Sequence, residues 1–101
     1  MRGKKLGILV NTDKNLKHLL GICRVAKDAE VEVLLFIMDD GCFLIEKEVF
    51  RELCKEECIT AVMCDHSYRE KGFTEELVEV KHGSQFDHAV IANECDRYVV
   101  I

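Results

Sequence analysis

The sequence predicts a three-layer α/β/α fold around a five-stranded, mostly parallel sheet. Three observations lead there. Short apolar runs recur along the chain without the polar–apolar alternation of a sheet wetted on one side. Between them lie stretches with apolar residues at helical spacing and charged residues on the other faces. Strand and helix alternate to the C-terminus, the pattern of right-handed parallel crossovers.

Each element has its own signal. Leu6–Val10 and Val31–Ile37 read as strands buried on both faces, and Ile59–Met63 and Tyr98–Ile101 follow the same style. In the first crossover Leu16, Leu19, Leu20, Cys23 and Ala26 form an apolar stripe, with Lys14, Lys17, Arg24 and Lys27 facing elsewhere. In the second, Ile45, Val49, Phe50, Leu53 and Cys54 recur at the same spacing, and the Lys/Glu alternation around them is a solvated helix face. After Cys64 a short helix is expected to stop at Gly72, followed by a turn near Thr74-Glu75 and a weak strand over Val78–His82. Ser84-Gln85-Phe86-Asp87 reads as a capping box opening a helix that runs to about Asn93. Strand order stays open.

Composition bounds the function. The 101 residues, 49% of them hydrophobic and 33% charged, suit one domain, 1–101, with its own core. The apolar run after the basic start Met1-Arg2-Gly3-Lys4-Lys5 ends at Asn11-Thr12-Asp13, too short for a signal peptide. No stretch approaches the roughly 20 apolar residues of a membrane span. The expectation is therefore a cytoplasmic protein without a membrane partner, whose six cysteines stay reduced. A net charge of −5 without a basic stripe argues against nucleic acid.

In an open parallel sheet, chemistry gathers outside the carboxyl ends of the strands. The loops expected there are Asn11–Asp13, Met38–Cys42, Cys64–Ser67 and His82–Ser84, which place Cys42 and Cys64 on this rim and Cys58 and Cys95 on the opposite one. The first βα loop has no glycine, so neither a dinucleotide fingerprint nor a phosphate-binding P-loop is present, and no cofactor is expected. Cys54 and Cys58 could supply half a metal site, but zinc needs four ligands and no second pair is visible. Core packing is the stronger reading, as it is for Cys23 and Cys95, and no metal is expected. His18, His82 and His88 share no ligand spacing and read as partly exposed surface residues.

Cys64-Asp65-His66-Ser67-Tyr68-Arg69-Glu70-Lys71-Gly72 stands apart. A cysteine that ends a central strand where a helix begins meets the partial positive charge of the helix terminus, which favours the nucleophilic thiolate. His66, Arg69 and Lys71 are nearby cations, and Asp65 opposes them.

Three features together resemble the DsrE family of small intracellular sulfur-handling proteins. Asp40-Gly41-Cys42 follows the second strand, Cys64 to Gly72-Phe73 matches a cysteine loop, short helix and Lys-Gly stop, and Gly83-Ser84 opens a helix that leads to Cys95-Asp96-Arg97-Tyr98-Val99-Val100. The resemblance implies a DsrE-like, flavodoxin-like architecture, a homo-oligomer, and protein partners that donate and accept sulfur. It also implies that Cys64 carries sulfur as a persulfide, with His66 stabilising the thiolate and Ser67 donating a hydrogen bond to it. Cys42 is the candidate second thiol. Some relatives have a second cysteine three residues on, but Ser67 stands there, which excludes a local dithiol–disulfide cycle. Two other readings stand beside the carrier: a non-catalytic oligomeric protein-binding subunit or regulator, and a small-anion or metabolite binder using the helix starts on the rim.

Overall fold

The computed structural model describes residues 3–101, so Met1 and Arg2 of the basic start lie outside the described residues. Five strands form one all-parallel sheet: β1 (Lys5–Val10), β2 (Glu32–Ile37), β3 (Ile59–Cys64), β4 (Lys81–Gly83) and β5 (Arg97–Val100), in the order β4-β3-β2-β1-β5. Four α-helices connect them: α1 (Leu16–Asp28), α2 (Glu48–Cys54), α3 (Asp65–Glu70) and α4 (Gln85–Glu94).

This order dictates how the helices are shared between the two faces. From β1 to β4 every step moves one way across the sheet, so right-handed crossovers put α1, α2 and α3 on one face. The return from β4 to β5 runs the other way and puts α4 alone on the opposite face. The core divides accordingly. On the three-helix side Ile8, Val10, Val33, Leu35 and Ile37 pack against Leu19, Cys23, Leu44 and Phe50. On the other side Leu34, Phe36, Val62 and Cys64 meet Ile91 of α4. Each fully buried Leu, Ile or Phe contributes roughly 1.5–3 kcal/mol relative to exposure, so the three-helix side carries most of the apolar stabilisation.

Two expected elements differ in detail. The second crossover opens with a 3-10 helix, Asp39–Glu46, and only Glu48–Cys54 is α-helical, so Ile45 precedes the helix it was expected to join. The cause is a tight exit from β2. Gly41 N donates to Met38 O at 3.0 Å, and a Cβ on Gly41 would stand 2.3 Å from the Val10 carbonyl oxygen. The fourth strand begins at Lys81 and spans three residues, shorter than and displaced from Val78–His82. The preceding segment is tied to α3: the Tyr68 hydroxyl donates to Glu75 O at 2.8 Å, and Arg69 Nη1 donates to Thr74 O at 2.6 Å.

The ends of α3 and α4 follow the sequence. Gly72, at φ 97°, takes the left-handed conformation that closes α3. Ser84 Oγ accepts from Phe86 N at 3.2 Å, and the Asp87 carboxylate accepts from Ser84 N at 2.8 Å, forming the capping box of α4. Among the described residues no helix is long and apolar enough to cross a membrane.

Candidate functional site

Cys64 is the last residue of β3 and the N-cap of α3, paired in register with Gly83 of β4. It therefore sits on the carboxyl edge of the sheet. Its side chain packs on the α4 side against Leu34, Phe36, Val62 and Ile91, and the residue is only 4% exposed.

Cys42 occupies the 3-10 helix after β2, buried in the three-helix core. Burial pushes its thiol up to about 12, with the neighbouring Cys64 and Asp39 adding to the rise and Lys71 opposing it. The two cysteines are thus electrostatic neighbours at the carboxyl edge, though their side chains belong to different core clusters. Cys42 is a rim residue by position and a core thiol by environment.

The residues expected to assist Cys64 are arranged differently from one another. His66 is 86% exposed on its side chain and lies 3.7 Å from Glu70 one turn further on. Ser67 is buried in the first turn of α3, and no hydrogen bond joins its hydroxyl to Cys64 among the described residues. The two cations are both engaged. Arg69 pairs with Asp65 at 3.3 Å and Glu76 at 2.6 Å, and Lys71 reaches Asp40 at 3.0 Å.

A second cluster beside Cys64 centres on His82, which is partly exposed, 13% on its side chain, and is tied by both ring nitrogens. Its Nε2 accepts from the Leu77 backbone N–H at 3.0 Å, and Nδ1 contacts the Asp65 carboxylate at 2.9 Å. An Nε2 that accepts carries no proton in the neutral ring, so Nδ1–H is the donor to Asp65. Tyr68 meets the His82 ring edge-on and stacks on Phe73. Burial raises the Tyr68 hydroxyl above its ordinary pKa, with Glu75 adding to the effect. Sequence reading missed this cluster because Asp65 and His82 stand 17 residues apart and share no motif.

The other histidines have separate roles. His18 is exposed on α1, and His88 stacks on Phe36 at 4.9 Å and hydrogen-bonds the Tyr98 hydroxyl. Cys54 is a core residue with its thiol raised to about 12 by burial, and Cys23 is raised to about 11 for the same first reason. Cys58 and Cys95 are half-buried, and all six cysteines are free thiols. Among the described residues no three His, Cys, Asp or Glu side chains converge to hold a metal ion.

Comparisons with known proteins place the fold. The crystal structure of the YchN protein from E. coli superposes with a TM-score of 0.72 at 14% identity, covering 100% of both chains. No curated protein matches the sequence. The model of the DsrE/DsrF-like family matches residues 4–101, and the chain belongs to that family.

Proposed function

We propose that this chain handles sulfur and carries it on Cys64 as a persulfide. One observation supports the reading above others. Cys64 ends a central strand on the carboxyl edge and caps the next helix, where open parallel sheets gather their chemistry. Family membership supplies the chemical class.

In the loading step the Cys64 thiolate attacks the outer sulfur of a donor persulfide. A new S–S bond forms at Cys64, the donor's S–S bond breaks, and the donor leaves as a thiolate. Transfer to an acceptor thiolate repeats the exchange in the other direction, with no net oxidation or reduction. The protein partners are accordingly a sulfur donor and a sulfur acceptor. Because Cys64 is 4% exposed beneath α4, loading proceeds from a locally opened form in which α4 has lifted from β2 and β3.

That same burial, with His66 turned to Glu70 and Arg69 and Lys71 held by acids, favours a second reading. In it the chain is a non-catalytic protein-binding subunit of the same fold.

One experiment separates the two. The reduced protein is alkylated competitively across pH, each cysteine is mapped by mass spectrometry, and a second sample is treated with cysteine persulfide. The carrier reading expects Cys64 to react ahead of Cys23, Cys42 and Cys54 and to gain the mass of one sulfur atom, a gain that Cys64→Ala abolishes. Should Cys64 react no faster than those three, or Cys64→Ala still load at the remaining thiols, the subunit reading takes its place.

A further inference from the structure

The strand order leaves β5 bare on the three-helix side, because α1 lies over β1 and β2. A groove of about 910 Å³ runs there between α1 and the β1–β5 edge, a size usual for small-molecule sites. Its lining on α1 extends from Lys17 to Ala29, so it follows the helix for about 18 Å at the rise of an α-helix. The floor is apolar: Leu6, Ile22 and Val31 are half-buried, and Val25 is 69% exposed.

The rim is basic. Lys4, Lys17 and Arg97 line the groove, and none of them has an ion-pair partner among the described residues. Tyr98 meets His88 on the α4 side, so strand alternation turns Arg97 toward the groove. Arg97 pairs in register with Leu6, which sets its guanidinium beside the apolar floor at the amino end of the sheet. The acid that lines the groove, Asp96, accepts from the Lys5 backbone N–H at 2.8 Å. Unpaired cations around an apolar floor, in a chain of net charge −5, are a local reversal of sign.

Gly21 is an independent pointer to an occupant. It stands inside α1, where glycine is less stable than alanine, and it lines the groove. A Cβ there would meet no heavy atom within 4 Å among the described residues, so packing within the chain does not call for the missing side chain. Its absence leaves the groove open midway along α1.

We propose that this groove binds a single-chain aliphatic carboxylate. The alkyl chain lies along Leu6, Ile22 and Val25, past the open backbone at Gly21. Arg97 and Lys4 hold the carboxylate, Arg97 through the planar fork that matches its two oxygens. The site is at the amino end of the sheet, away from Cys64, and does not depend on the sulfur reading.

Isothermal titration calorimetry with hexanoate, octanoate and decanoate, each below its micelle concentration, tests the proposal. Affinity should rise about three- to fourfold for each added methylene. Decanol keeps the chain and lacks the charge, so it should bind about tenfold more weakly than decanoate. Arg97→Gln should weaken decanoate about tenfold and leave decanol unchanged. Gly21→Leu should abolish binding while its urea midpoint holds or rises, because leucine suits a helix interior better than glycine. No saturable binding of decanoate, equal affinity along the series, or undiminished binding by Gly21→Leu overturns the proposal. So does sedimentation in which Gly21→Leu lowers the mass of an assembly, which would assign the groove to a second copy of the chain. Saturation by an acidic amphipathic peptide but not by decanoate overturns it in favour of a protein partner.

Discussion

His82 donates its Nδ1–H to the Asp65 carboxylate at 2.9 Å, joining the edge strand β4 to the first turn of α3 directly beside Cys64. The same ring accepts the Leu77 N–H at 3.0 Å, so one imidazole holds strand, helix and the intervening segment in register. Replacing it leaves a backbone donor and a carboxylate short of partners. His82→Ala is expected to cost about 1–3 kcal/mol in urea unfolding. His82→Asn, which can still offer an N–H to Asp65, should lose less. Equal losses for the two variants would show that packing against Tyr68 dominates.

Gly41 has no room for a side chain. A Cβ there would lie 2.3 Å from the Val10 carbonyl oxygen and 3.0 Å from its carbonyl carbon, both backbone atoms that cannot rotate away. Gly41→Ala should therefore destabilise by about 3 kcal/mol, read from the urea midpoint at unchanged slope. This gives the Asp40-Gly41 pair after the second strand a packing reason independent of any chemistry.

Asp87 governs the acid side of stability. Its carboxyl is held below the usual carboxylate range, first by the Ser84 backbone N–H and then by Lys81 at 3.0 Å. The unfolded chain therefore takes up this proton before the folded chain does. The stabilisation is present above the ordinary aspartate range and is lost as pH falls through the lower folded value. Asp87→Asn should cost about 1 kcal/mol at neutral pH, as loss of a cap does. It should also flatten the fall in melting temperature on the acid side.

Buried thiols govern the alkaline side. Cys23, Cys42 and Cys54 rise from 9.0 to about 11, about 12 and about 12 respectively, each chiefly through burial. The unfolded chain loses these protons first, so stability is full below about pH 9 and is eroded as pH rises from there toward the folded values. Cys54→Ala should lower stability at neutral pH by leaving a small cavity, yet give a shallower alkaline decline of the urea midpoint. Under native conditions all three should resist alkylation relative to the half-buried Cys58 and Cys95.

The sequence by itself determined the layered parallel architecture, because apolar runs without alternation can be satisfied only when both faces of a sheet are covered. It also determined features built from neighbours in the chain. The capping box at Ser84 and Asp87 and the stop at Gly72 each lie within one turn of the residues they serve. Placing Cys64 at the junction of β3 and α3 needed no more than the run Ile59–Met63 and the polar residues after it. Tertiary structure decided what those residues face. The order β4-β3-β2-β1-β5 sends α4 alone across one face, which is why Cys64 ends up under that helix and nearly sealed. The staple of Asp65, His82 and Leu77 and the burial of Cys42 likewise appear only when distant segments meet. Local sequence encodes periodicity and caps, but exposure and ion pairing are set by whichever element packs against a residue, and that choice belongs to the fold as a whole.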